Sequence, residues 1–246
     1  MLTGKVALVS GAGKNIGRAI ALRLAADGAA VVVNGRSDAA ALEAVVGEIS
    51  AAGGSAMAAL ADVSQPEAVA AMVTAAEARF GGVDILVSNA GLRRQTPFLQ
   101  MELAEWREIL SVALDGAFLL ARAVAPLMVA RGGGAIVGMS GVSTHLGVPN
   151  RCHVSSSKAG LEGLMRALAI ELAPQRITCN CVAPGSIDTA RGAAAGVRPG
   201  KLEGGIPLGR RGSVEDIAAT VRHLVGPEGA YITGQTIHVN GGVFLT

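Results

Sequence analysis

SGAGKNIG, residues 10–17, decides the fold. It comes after the apolar run VALV (residues 6–9) and opens a segment of helical period over 16–27. Glycines at such a turn let the backbone come close to a phosphate group, and a helix starting at once afterwards supplies amide donors and positive potential. The interval from Gly11 to Gly17 is one residue longer than the common G-x-G-x-x-G spacing. Asn15 interrupts the glycines, and Asn tolerates left-handed backbone better than most residues.

Working outward from this turn, Val- and Ile-rich runs alternate with Ala- and Leu-rich segments. The pattern predicts strands over 5–10, 30–34, 55–60, 83–88, 134–139, 177–182 and 235–239. It predicts helices over 16–27, 39–52, 66–79, 102–130, 153–173 and 214–225. The early strands (VALV, AVVV, DILV) are continuously apolar, as in strands covered on both faces. The expected fold is therefore α/β, a single Rossmann-type doubly wound parallel sheet flanked by helices and spanning 1–246. Residues 186–212, rich in Gly, Pro and Arg, form the one long loop and are the candidate substrate cover.

Composition narrows the function. Half of the 246 residues are hydrophobic and 16% are charged, which suits a large core and not a disordered chain. The net charge of +2 and the absence of long basic runs give no nucleic-acid footprint. Aromatics at 2% leave no stacking platform for single strands. Residues 132–150 are uncharged, but their glycines and Pro149 do not make a membrane-spanning helix, so no membrane partner is expected. No signal-peptide pattern precedes the first strand, and Cys152, Cys179 and Cys181 fit reduced thiols in a cytoplasmic protein. No Cys/His spacing suggests a metal.

From about Thr3 to Gly242, the chain resembles the short-chain dehydrogenase/reductase family nearly end to end, and within it 3-oxoacyl-carrier-protein reductase-like members. SGAGKNIG stands for T-G-x-x-x-G-x-G, which makes Gly11, Lys14, Asn15, Ile16 and Gly17 cofactor residues. Asp62 and Val63 match the pair that meets adenine. Asn89, Ala90 and Gly91 match the motif after the fourth strand. Pro184, Gly185, Ile187 and Thr189, in PGSIDT, match P-G-x-I-x-T, whose Thr189 would hold the nicotinamide carboxamide. The second strand ends VVVNGRS, so Gly35 and then Arg36 stand where an acid would select NAD. Arg36 suits a 2′-phosphate, with Lys14 adding charge, and the cofactor expected is NADP(H).

In this family a tyrosine four residues before a lysine donates a proton, a serine holds the substrate oxygen and an asparagine anchors a water. The resemblance assigns Lys158 to the lysine, Val154 to the tyrosine, Gly141 to the serine and Ala113 to the asparagine. Lys158 then reads as retained to hold the nicotinamide ribose. Tyr231, the sole tyrosine, matches no part of this relay.

Substitute groups are Ser140, which neighbours Gly141 but points to the opposite strand face, and Ser155, three residues before Lys158. His145 lies in the loop after the fifth strand beside Ser143 and Thr144, where a histidine titrates near neutrality. His153 lies five residues before Lys158, roughly 140° around a helix. Cys152 beside it and the pair Arg93–Arg94 after the fourth strand are weaker candidates. Three readings stay open: an NADP(H)-linked oxidoreductase of small carbonyls or alcohols with non-standard proton delivery, a non-redox enzyme using His145 or His153, and a silent cofactor-binding protein. Family members are commonly tetramers built on helices matching 102–130 and 153–173, so a homo-oligomer, tetramer or dimer, is expected.

Overall fold

A computed structural model describes residues 1–190 and 205–246. The strands are β1 (Val6–Val9), β2 (Ala30–Gly35), β3 (Ala56–Leu60), β4 (Ile85–Ser88), β5 (Gly134–Met139), β6 (Ile177–Pro184) and β7 (Thr236–Val239). They form one sheet in the order β3-β2-β1-β4-β5-β6-β7, and every pairing is parallel. The order reverses between β1 and β4, where a parallel sheet opens a crevice at its carboxyl edge.

The helices are α1 (Asn15–Ala26), α2 (Ala39–Ala51), α3 (Pro66–Phe80), α4 (Leu103–Leu110), α5 (Gly116–Ala130), α6 (Ser143–Leu146), α7 (Cys152–Leu172) and α8 (Val214–Val225). Successive strand residues serve opposite layers. Val31 and Val33 pack with α1, α2 and α8, whereas Val32 packs with α3, α5 and α7. This is why the strands read as unbroken apolar runs.

Three buried polar side chains pin neighbouring strands. Asn34 donates to the carbonyls of Ala59 and Ala61 at 3.0 Å each, and Asn180 donates to the Ile232 carbonyl at 2.7 Å. Asp84 accepts from the Val6 amide at 2.9 Å and pairs with Lys5 and Arg131. Burial alone would push the Asp84 carboxyl up, but the hydrogen bonds from Arg131, Val6 and Lys5 together hold it below the ordinary aspartate value.

The helix expected over 102–130 is not uniform. A π turn at Ser111–Asp115 separates α4 from α5. One wider turn leaves buried positions still three or four apart, so periodicity does not register it. The four-residue α6 falls in a stretch with no predicted element. Of the candidate cover 186–212, residues 191–204 lie outside the described residues; Ile187 and Gly212, on either side, form a parallel bridge.

Candidate active site

A cleft of about 420 Å³ opens at the carboxyl ends of β1, β4, β5 and β6. Its first wall is the glycine turn. Gly11 has φ +62° and Asn15 φ 50°, so the chain takes the left-handed region at both, as glycine and asparagine permit. A Cβ on Gly17 would lie 2.2 Å from the Gly11 carbonyl oxygen and 2.6 Å from Asn89 Nδ2. Only glycine fits there.

Ser10 and Asn89 lock this turn to β4. Ser10 Oγ accepts from the amides of Asn89 at 2.9 Å and Ala90 at 3.0 Å. Asn89 Nδ2 in turn donates to the carbonyls of Ser10 and Gly11, at 2.9 and 3.0 Å. Asn89 therefore serves the turn as well as the cleft wall. Asn15 adds a tie across the cleft: its Nδ2 donates to the Ala190 carbonyl, and the Ala190 amide donates to its Oδ1, both at 3.0 Å.

The start of α1 carries no side-chain cap, since Lys14 at the N-cap position makes no capping bond. Lys14, Asn15, Ile16 and Gly17 all line the cleft. An uncapped helix start facing a cleft presents amide donors and the positive end of the helix dipole, which suits a pyrophosphate. The residues present thus fit a dinucleotide.

The second wall comes from β5, α6 and α7. Lys158 lies on α7 and lines the cleft with its ammonium donating to the Met139 carbonyl at 2.6 Å. A Cβ on Gly91 would be 3.4 Å from Lys158 Nζ, so the lysine lies against the Asn89–Gly91 segment. Burial pulls Lys158 down to about 8, with the charge of Arg93 adding to the effect. Val154, one turn before Lys158, also lines the cleft and contributes only methyl groups. Gly141 lines it too, and Ala113 lies in the π turn.

Pro184, Gly185, Ile187 and Thr189 complete the lining, together with Ala90, Gly91 and Ser140. Arg36 stands exposed just past β2, and Asp62 lies just past β3, where it accepts from the Ser64 amide and hydroxyl at 3.0 and 2.7 Å. These two and Val63 lie beyond the cleft lining, at the carboxyl ends of the adjacent strands.

Three candidates named from the sequence do not reach the cleft. His153 is fully buried on α7 and turns to α4, with Nε2 3.0 Å from Glu105 Oε1. A hydrogen bond from Thr96, and after it one from His153, holds the Glu105 carboxyl below its ordinary value against the effect of burial. His145, on α6, points to Glu162 and packs against His238 and Phe244. Ser155 is also outside the lining. Neither histidine thus offers a direct acid or base for a non-redox reaction in the cleft. Tyr231 is fully exposed elsewhere, and Cys152 Sγ lies 3.8 Å from Met101 Sδ, away from the cleft. No metal-ligating cluster occurs among the described residues.

Sequence reasoning passed over Glu162 and Arg151. Glu162 is buried behind Ser140, one turn past Lys158 on the same helix face, a spacing that the sequence displays. Arg151, also buried, lines the cleft from the residue before α7.

A family model described as enoyl-(acyl carrier protein) reductase matches residues 11–244. A 3-oxoacyl-[acyl-carrier-protein] reductase of Synechocystis sp. is 41% identical over 245 residues, covering 99% of this chain and 98% of that protein. A protein of the same description from Staphylococcus aureus is 40% identical, with 98% of each covered. Among solved structures, a 7α-hydroxysteroid dehydrogenase complexed with NADH and 7-oxo glycochenodeoxycholic acid has a TM-score of 0.92 at 34% identity, covering 98% of this chain and 94% of that one. A dehydrogenase/reductase from Sinorhizobium meliloti has a TM-score of 0.91 at 36% identity, covering 99% and 96%.

Proposed function

The chain belongs to the short-chain dehydrogenase/reductase family, and on that premise we propose that it is an NADP(H)-linked oxidoreductase of carbonyl substrates, with 3-oxoacyl thioesters as the first class to test. The observation that carries this reading is the shared cleft. The uncapped start of α1, the Asn89–Gly91 segment, Lys158 and the Pro184–Thr189 segment all meet in it. The description of the Synechocystis and Staphylococcus relatives supports the substrate class.

The α1 amides and Lys14 bind the pyrophosphate, and Arg36 takes the 2′-phosphate through a forked contact. Lys158 holds the ribose, and Thr189 faces the carboxamide. When bound, the reduced nicotinamide supplies a hydride to the carbonyl carbon. Val154 gives no hydroxyl beside Lys158, so proton delivery is of a non-standard kind. The protein acts in the cytoplasm as a homo-oligomer. Phe118 on α5 and Ile170 on α7, 46% and 80% exposed, provide apolar surface for subunit contact.

Calorimetric titration with NADPH and NADH tests the cofactor. NADPH should bind more tightly, and Arg36→Ala should weaken NADPH alone by about 10-fold or more, as loss of a charged hydrogen bond implies. Equal affinities for both dinucleotides would refute the NADP(H) assignment. Reduction of an acetoacetyl thioester, monitored by nicotinamide absorbance, tests the reaction.

A further inference from the structure

Ser140, Glu162 and His145 form a hydrogen-bonded line from the cleft wall to the protein surface. Ser140 comes directly after β5 and lines the cleft, and its Oγ donates to Glu162 Oε1 at 2.5 Å. The same carboxylate oxygen meets His145 Nε2 at 3.0 Å. The Glu162 side chain is 6% exposed and that of His145 is 23% exposed, so the line runs from a buried carboxylate to water.

The buried carboxylate of Asp84 makes a useful contrast. Asp84 is held by Lys5 and Arg131, two fixed cations, as a purely structural buried charge requires. Glu162 is held instead by a hydroxyl and an imidazole, both of which give and take protons. Two groups face His145 from other elements. Glu162 approaches from α7, and His238 approaches from β7 with its ring centroid 4.6 Å away. Burial, then the neighbouring His145, pulls His238 down. Phe244 stacks on the remaining face of His145 at 5.0 Å. Beneath them, Cys181 on β6 senses both Glu162 and Lys158, but burial pushes its thiol up to about 12 and keeps it neutral.

We propose that His145, Glu162 and Ser140 form a proton relay that replaces the absent tyrosine in carbonyl reduction. The inference rests on the oxidoreductase reading above. The arriving hydride forms the new C–H bond, and the electron pair of the broken C=O π bond moves to oxygen. That oxygen takes the proton of Ser140 Oγ. Glu162, a carboxylate at rest, takes a proton from the protonated His145 Nε2 and hands one on to Ser140, and His145 recovers its own from water at its exposed side. Ser140 is the group that meets the substrate; Glu162 and His145 act through it. The serine hydroxyl turns from the carboxylate in the resting protein to the cleft during delivery, a rotation about one bond.

The test measures kcat and its pH dependence for NADPH-driven reduction of an acetoacetyl thioester in the wild type, Ser140→Ala, Ser140→Thr, Glu162→Gln, Glu162→Asp and His145→Gln. NADPH affinity and melting temperature are measured alongside, and His145 is titrated by NMR in the cofactor-free protein. Ser140→Ala and Glu162→Gln should each lose about 10²- to 10⁴-fold in kcat, the usual worth of general acid catalysis, with NADPH affinity unchanged. Ser140→Thr and Glu162→Asp should recover part of the rate. The wild-type rate should fall as pH rises through the His145 titration, and His145→Gln should flatten that limb.

A Glu162→Gln variant with wild-type rate and pH profile overturns the relay alone. So does one that loses rate and melting temperature together while the pH profile and the His145 titration stay unchanged, which would make Glu162 a structural pin. A wild type that binds NADPH and reduces no carbonyl overturns the oxidoreductase reading, and the relay with it.

Discussion

The glycine-turn wall of the cleft and the wall formed by β5, α6 and α7 keep their shapes by different means. The first is backbone shaped by glycines and tied down by two polar side chains, Ser10 and Asn89. Gly17 stands where a Cβ would strike the Gly11 carbonyl, and Ser10 and Asn89 satisfy main-chain groups on either side. The second is a set of residues carried on β5 and α7, of which Val154, Gly141 and Ser140 line the cleft. A backbone-built site admits few substitutions because each one moves the chain. A side-chain site can exchange its chemistry residue by residue while the fold stays as it is.

The sharpest way to break this contrast is Gly17→Ala. The added methyl would lie 2.2 Å from a backbone oxygen, which no rotamer change relieves. A loss of about 3 kcal/mol or more is expected, at the upper end of overpacking costs, and NADPH binding should vanish with it. Thermal unfolding and dinucleotide titration read both effects. A variant that melts with the wild type and binds NADPH normally would show that the turn is not rigid.

The opposite wall should accept change. A Cβ on Gly141 would meet only Ser143 Oγ, at 3.8 Å, so serine fits there. Adding Ala113→Asn from the neighbouring π turn and Val154→Tyr to Gly141→Ser should raise ketone reduction, by up to about 10²-fold, above any single change, since relay residues act as a unit. The assay is NADPH oxidation with a panel of ketones. If the wild type already matches the triple variant, the donor that it has serves as well as the tyrosine would.

The smallest effect belongs to Lys158, which both walls share. Its amine is charged below about 8 and neutral above it, so NADPH should bind more weakly as pH rises through that value. A loss of up to about 10-fold is expected, the worth of one charged hydrogen bond. In Lys158→Met the slope around that pH should disappear. An identical slope in the variant would assign it to another group.

The same contrast explains what was legible in the chain. The strands and the glycine turn were readable because continuous apolar runs and obligatory glycines are one-dimensional signals; β5 and β7, for instance, fall at 134–139 and within 235–239 as expected. The cofactor positions expected at Gly11, Asn89 and Lys158 came from resemblance to the family's motifs, and these residues line one cleft. The direction of side chains in a loop is not a one-dimensional signal. His145 looked able to enter the cleft, yet α6 turns it onto Glu162, His238 and Phe244. Residues 162, 238 and 244 are brought to it by α7, β7 and the segment after β7, which no local pattern announces. His153 reads as facing away from Lys158 unless the helix starts later, and with α7 starting at Cys152 it does face away, packing on Glu105. The π turn at 111–115 stayed hidden because one wide turn leaves the apolar period intact.

The pair of hydrogen bonds between Asn15 and Ala190 has a kinetic meaning. It joins residues 175 positions apart on two sides of the cleft, so the chain there behaves as a fastened ring. Where such a fastening opens for a dinucleotide to arrive it opens also for it to leave, and it slows both passages by one factor when it is as strong in the bound state as in the empty one. Asn15→Gly would then quicken association and dissociation together in stopped-flow traces, while the equilibrium constant stayed where it was. Unequal changes in the two rates would mean that the fastening favours one state over the other. In that sense the asparagine among the glycines acts on how long a guest stays, besides lining the cleft that receives it.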